Sequence, residues 1–132
     1  MSYRISTEVQ IQTKLKKILT EIKNKGNLVG IILSTKDGRL IVKSLSEKDM
    51  SEFIAMHASV LKSAENLGSS MDNRNISNII TELESKTILT KNCTPNTFLI
   101  LIFDKKSKVD TLLKNLDKYI KQISVFVERL NL

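Results

Sequence analysis

The segment Lys36-Asp37-Gly38-Arg39 constrains the fold of this chain more than any other, because it separates two apolar runs at residues 28–33 and 40–45. Asp-Gly between two such runs is a strong short-range hairpin signal, since glycine accepts the positive φ that a tight turn of the right twist requires. The first run is apolar at nearly every position. We therefore predict a β-hairpin whose first strand is central and covered on both faces of its sheet.

Three segments show helical periodicity. The first, residues 7–24, begins with Thr7 and Gln10 at capping-box spacing, which predicts its N-terminus. Its apolar residues recur at three- and four-residue steps, which is typical of a helix with one buried stripe: Ile11, Leu15, Ile18, Leu19 and Ile22. A second helix is predicted at residues 49–68 and a third from Ser107. An apolar tail at residues 124–132 follows, which we expect to be buried against the first helix or a partner.

Three more apolar runs lie at residues 76–83, 87–93 and 97–103, with short turns between them. Such spacing predicts an antiparallel meander, and the last run is apolar enough to be the central strand. The element order is therefore α-β-β-α-β-β-β-α. We predict an α+β sandwich with a five-stranded, mostly antiparallel sheet, two helices on one face and the second helix alone on the other. Residues 1–132 are expected to form a single domain.

The net charge is +7, from 21 basic and 14 acidic residues, and the excess lies largely on the first and last helical segments. Such charge can favour acidic partners, anionic membrane surfaces or nucleic acid. A simple solvated lysine face is the alternative explanation, and the composition favours it. Lysine predominates in these segments, tryptophan is absent, and no aromatic residues alternate with the basic ones, so we expect no nucleic-acid binding.

The sequence carries little that could support catalysis. Cys93 and His57 are the only cysteine and histidine, which excludes an intrachain disulfide and a Cys/His zinc site within one chain. No phosphate-binding glycine loop or nucleophile motif is present. We therefore expect no catalytic, cofactor-binding or metal residues and no enzyme activity. No apolar run is long enough to span a membrane, and we expect a cytoplasmic protein with at most peripheral membrane contact.

The second predicted helix has an unusual side made of small residues. Ala55, Ala58, Ser59 and Ser63 share it with Lys62 and Asn66. Small side chains would let another backbone approach closely, which is typical of a contact face. An exposed helix surface built from good helix formers is the alternative, and the pattern alone does not decide between them.

The chain resembles the Roadblock family over roughly residues 7–123. This family comprises Roadblock-type dynein light chains and related regulators of Ras-like GTPases in bacteria and archaea. The resemblance rests on the element order, the strand at 30–33 running into Asp37-Gly38-Arg39-Leu40-Ile41, the Ala/Ser-rich helix at 53–68, and the apolar strand before the final helix. It implies a homodimer, or a heterodimer with a paralogous Roadblock-like chain, in which the middle strands pair and the second helices pack side by side.

The resemblance also implies a function. We expect a non-enzymatic dimeric scaffold that binds or regulates a small Ras-like GTPase. The alternative hypothesis is a basic membrane-surface or small-ligand sensor module. The expected dimer interface comprises small residues of the second helix and apolar residues of the third strand: Ala55, Ala58, Ser59, Ser63, Ile76, Ile79 and Ile80. Lys62 and Asn66 are the residues expected to bind the partner.

Overall fold

The computed structural model describes residues 2–47, 49–130 and 132. Three helices and five strands follow the predicted order. Their bounds are α1 Ser2–Gly26, β1 Gly30–Thr35, β2 Leu40–Ser44, α2 Ser51–Ser70, β3 Ile79–Glu82, β4 Thr87–Thr94, β5 Thr97–Phe103 and α3 Val109–Val127.

The five strands form one sheet in the order β2-β1-β5-β4-β3, and every neighbouring pair is antiparallel. β5 lies at the centre, with Ile100 opposite Ile32 of β1 and opposite Thr90 of β4. All seven residues of β5 are buried. The prediction that residues 97–103 form the central strand is therefore confirmed.

The two faces of the sheet are covered differently, as predicted. Because successive strand residues point to opposite faces, Leu99 and Leu101 pack with α1 and α3 in a larger core cluster. Phe98 and Ile100 instead pack beneath α2 in a smaller cluster. The helix pair supplies residues such as Leu15, Ile22, Leu116 and Ile123 to the larger cluster. α2 supplies only Ile54 and Leu61 as fully buried side chains to the smaller one.

Several predicted boundaries were wrong. α1 begins at Ser2, so Thr7 lies inside the helix and not at its N-terminus, where the capping-box spacing had placed it. α2 begins two residues later than predicted, where the Asp49 carboxylate accepts a hydrogen bond from the Ser51 N–H at 3.0 Å. α3 begins at Val109 rather than Ser107. The Ser107 hydroxyl instead donates to the Asn27 carbonyl at 2.9 Å and ties the start of α3 to the end of α1.

The first part of the apolar tail at residues 124–132 belongs to α3, which ends at Val127. Val127 is buried, and Phe126 and Leu130 pack against the larger cluster. The Lys14 ammonium of α1 lies 5.7 Å from the centre of the Phe126 ring, within cation–π range. The tail therefore packs against the first helix, which is one of the two places expected for it.

The predicted turn between β1 and β2 has the expected glycine conformation. Gly38 has φ +92°, and its N–H donates to the Thr35 carbonyl at 3.0 Å. The Thr35 hydroxyl donates to the Asp37 carboxylate, and this bond, with support from Arg39 at 3.1 Å, lowers the pKa of Asp37. A Cβ atom at Gly38 would also lie 3.4 Å from the Cα of Ala55 on α2.

Gly38→Val should destabilise the fold by about 1 to 3 kcal/mol, because a β-branched residue resists positive φ and would crowd Ala55. Urea denaturation followed by circular dichroism measures the free energy of unfolding of each variant. Gly38→Asn is the matched control, since asparagine tolerates positive φ better and should cost less. A denaturation midpoint for the valine variant equal to wild type would show that the turn does not depend on this conformation.

Candidate interaction surface

The inward face of α2 is narrow. Ile54, Leu61 and Gly68, spaced seven residues apart, are its buried positions. Gly68 is buried because the backbone comes close there: a Cβ atom would lie 2.2 Å from the Arg74 carbonyl oxygen. The Arg74 N–H also donates to the Gly68 carbonyl at 2.9 Å. The segment after α2 is thereby held against the last turn of the helix.

A stripe of large apolar side chains on α2 is exposed. Met56, Val60 and Leu67 are 54%, 48% and 61% exposed, and Met71 follows directly after the helix at 60%. At 100° per residue they lie on one flank of the helix, away from Ile54 and Leu61. A contiguous exposed apolar stripe marks an interaction surface more often than isolated residues do. We call these four residues the α2 stripe.

The small residues extend from the outer side of α2 to its other flank, and two of them have a partner inside the chain. Ala55 and Ala58 are the residues that a Cβ atom at Gly38 would meet, at 3.4 Å and 3.6 Å. Ala58 also packs against the smaller core cluster. A close backbone approach was expected at these residues, and the β1–β2 turn of the same chain makes one. Ser59 and Ser63 are exposed, as are Lys62 and Asn66, so the structure leaves both predicted partner-binding residues accessible.

The third strand is shorter than predicted and lies at an edge. β3 spans Ile79–Glu82 instead of residues 76–83, and in the described part of the chain it pairs only with β4. Ile76 is half-buried beside Gly68, and Ile79 packs into the smaller core cluster. Ile80 points to the other face of the sheet and is 63% exposed. The edge of β3 therefore offers free backbone groups and one large apolar side chain.

The sole histidine and cysteine are separated by the sheet. His57 lies on α2, where its Nδ1 is 2.8 Å from the Phe53 carbonyl oxygen and its ring lies 4.3 Å from the Phe53 ring. Cys93 lies on β4 and packs against the larger cluster on the α1 and α3 side. Burial raises the pKa of Cys93 to about 11. The two side chains therefore do not form a nucleophile and its base.

Other features that would indicate chemistry are few in the described residues. No group of three or more metal-ligating side chains occurs among residues 2–47, 49–130 and 132. None of the described helices is long and apolar enough to cross a membrane. A shallow polar cleft of about 610 Å³ lies between the end of α2 and the β4–β5 turn. Its charged lining includes the ion pair of Lys36 with Glu65 at 2.8 Å and the side chain of Arg74.

A five-stranded antiparallel sheet between a helix pair and a single helix leaves an apolar stripe on that single helix open to another chain. The family model of the Roadblock/LC7 domain matches residues 14–103. The chain therefore belongs to the Roadblock/LC7 family, whose members are generally non-enzymatic regulatory or scaffold domains. A search of curated proteins gave no match.

Solved structures share the fold at low sequence identity. MglB of Myxococcus xanthus is 17% identical, with a TM-score of 0.81 over 89% of this chain and 98% of that chain. The gliding protein MglB of Thermus thermophilus is 10% identical, with a TM-score of 0.82 over 91% and 93%. An MglB described as having a tetrameric arrangement is 11% identical, with a TM-score of 0.82 over 91% and 93%. These likenesses show a shared fold.

Cys93 should react slowly with alkylating reagents in the native protein. A pKa of about 11 leaves roughly a hundredth or less of the thiolate that an ordinary cysteine has at neutral pH. Iodoacetamide labelling followed by mass spectrometry measures the rate, with the urea-unfolded chain as the control. The native rate should rise as the pH approaches 11. Equal native and unfolded rates at neutral pH would contradict this assignment.

Proposed function

We propose that residues 1–132 act as one Roadblock-like domain, a non-enzymatic dimeric scaffold that binds or regulates a small Ras-like GTPase in the cytoplasm. The observation that carries the proposal is the α2 stripe: Met56, Val60, Leu67 and Met71 stay exposed on the one helix that covers its face of the sheet alone. A related MglB is described as having a tetrameric arrangement, which supports self-association in this fold.

The edge of β3 suggests how two copies would meet. Unpaired edge strands are a liability that pairing with another chain removes. If β3 pairs antiparallel with β3 of a second copy, the two-fold axis must stand perpendicular to the sheet. Both α2 helices then lie on the same side of a continuous sheet, where their stripes come together. A paralogous Roadblock-like chain in the second position would serve the same purpose.

The interface residues proposed from the sequence fit this arrangement unequally. Ser59 and Ser63 are exposed on the outer side of α2, and Ile80 is exposed on the edge strand. Ala55 and Ala58 instead contact the β1–β2 turn, and Ile76 and Ile79 are held within the chain. We therefore give the α2 stripe a larger share of the proposed interface than the small residues, while keeping Ser59, Ser63 and Ile80 within it.

Wild-type protein should have a light-scattering mass of about twice 14.9 kDa at micromolar concentration. Leu67→Glu should weaken the dimer more than 100-fold, because an unpaired charge would be buried at the contact, at a cost of roughly several kcal/mol. Ser69→Glu is the matched control: it adds the same charge two residues away on the other flank of α2 and should leave the dimer intact. A monomeric wild type, or equal weakening by both variants, would refute the proposed interface.

Partner binding is proposed at Lys62 and Asn66, since both are exposed on α2 outside the α2 stripe. Two such helices side by side offer a composite surface that one chain lacks. The chain would supply contacts that favour one nucleotide state of the GTPase, while the catalytic groups belong to the GTPase.

Lys62→Glu should reduce the affinity for a purified Ras-like GTPase loaded with a non-hydrolysable GTP analogue, because it reverses an exposed charge on the proposed partner surface, away from the two-fold axis. We expect a loss of about tenfold or more, the size of a reversed interface charge. Isothermal titration calorimetry measures the affinity. Lys86→Glu at the β3–β4 turn is the control, because it makes the same charge change outside α2 and should bind like wild type. Unchanged affinity with an intact dimer would move the site off α2. GTP hydrolysis by the isolated chain would overturn the non-enzymatic assignment.

A further inference from the structure

The net charge of the chain is confined to one layer of the fold. Residues 27–103, which include the sheet up to β5 and all of α2, carry eight basic and eight acidic residues. The two flanking segments, residues 1–26 and 104–132, carry thirteen basic and six acidic residues, and hence the whole net charge of +7. α1 and α3 lie in these segments and cover the same face of the sheet. We call them together the basic layer.

Lysines occupy the outermost ridge of α3. The buried residues Leu112, Leu116 and Ile123 define its inner side, and a helical rotation of 100° per residue places Lys114, Lys118 and Lys121 opposite them. All three lysines are exposed. Lys105, Lys106 and Lys108 are exposed just before the helix, and Lys17 is exposed on α1. The lysines of both helices are therefore displayed on the side of the molecule away from α2.

Few interactions among the described side chains neutralise this charge. The ion pairs found among the described residues, Lys36 with Glu65 and Arg39 with Asp37, both lie outside the basic layer. Lys14 and Lys25 lie over the rings of Phe126 and Tyr119, which leaves their charge in place. The acidic side chains of the layer are Glu8, Glu21, Asp104, Asp110, Asp117 and Glu128. On α3, Asp110, Asp117 and Glu128 lie along one border of the lysine ridge, and the six acidic residues together leave the layer with a net charge of +7.

We propose that the basic layer docks the protein on an anionic membrane surface. Lysine, a strongly hydrated point charge, suits diffuse attraction to a charged surface more than the forked recognition that arginine supplies. Val125, on the same ridge as the lysines, is 53% exposed, and Leu113 is 47% exposed. Exposed apolar residues beside the lysines could enter the headgroup region while the lysines attract anionic lipid. Because two packed helices form the layer, it is broader than the exposed side of a single helix.

Dimerisation would extend the layer. Pairing of two β3 edges about an axis perpendicular to the sheet puts both basic layers on the same side, opposite the paired α2 helices. The pairing of two layers rests on the proposed dimer, whereas membrane docking of a single chain does not, since its own layer is basic. Two layers on one rigid body would bind a flat anionic surface more tightly than one, through an increased effective concentration. The surface proposed for the GTPase would then face away from the membrane.

The test is co-sedimentation of the full chain with vesicles of mixed phosphatidylcholine and phosphatidylglycerol, and with vesicles of phosphatidylcholine alone. Wild type should sediment with the anionic vesicles only, and high salt should release it. The double variant Lys114→Glu/Lys118→Glu should bind at least about tenfold more weakly. Arg74→Glu/Lys86→Glu changes the net charge by the same amount outside the basic layer and should retain binding. Circular dichroism of both variants controls for folding.

Three results would overturn the proposal: no binding to anionic vesicles, equal loss in both double variants, or tight binding to duplex DNA or an acidic protein with none to vesicles. Light scattering on the same samples separates this proposal from the dimer. A dimer that ignores anionic vesicles refutes the docking and leaves the dimer standing. A monomer that binds them refutes the dimer and supports the docking. Leu67→Glu should keep the preference for anionic lipid with weaker binding.

Discussion

The burial of β5 between two helical layers is the constraint on which the rest of the structure depends. All seven of its residues are buried, so both faces of the sheet must be covered. α1 and α3 cover one face and α2 alone covers the other. A single helix is too narrow to cover five strands, and none of the other described helices covers its own outer apolar side chains. The exposed α2 stripe follows from this unequal cover, whereas β3 has an open edge because it is the last strand of the sheet. The proposed scaffold function rests on both.

The sequence predicted the parts of the fold that depend on local signals. The Asp37-Gly38 turn was found because positive φ at a tight turn restricts which residues fit, and Gly38 adopts it. The central position of residues 97–103 was found because such an apolar run must be buried on both faces. Helix ends were less predictable. Thr7 and Gln10 had the spacing of a cap, but the helix begins at Ser2. A residue with capping chemistry can also be accommodated inside a helix when the residues before it continue the helix.

The candidate surface was harder to predict, for a physical reason. Met56, Val60 and Leu67 are apolar and recur at helical spacing, but helical periodicity identifies an apolar face without saying what covers it. The structure gives the inward position to Ile54, Leu61 and Gly68, and it does so through the close contact of Gly68 with the Arg74 backbone. Ala55 and Ala58 were singled out as small residues at a close approach. The sequence did not show that the β1–β2 turn is what approaches them.

The two faces of the molecule differ in the kind of interaction they can make. The α2 side belongs to a segment without net charge and exposes methionine, valine and leucine. Such a surface gains free energy by excluding water against a matching surface, and it depends little on salt. The α1 and α3 side carries the whole net charge and exposes lysine, so its interactions are long-ranged, weakly specific and screened by salt. Because the sheet separates the two sides, a charge change on α3 leaves the α2 stripe intact. Assembly through one face and attraction through the other can therefore be altered independently.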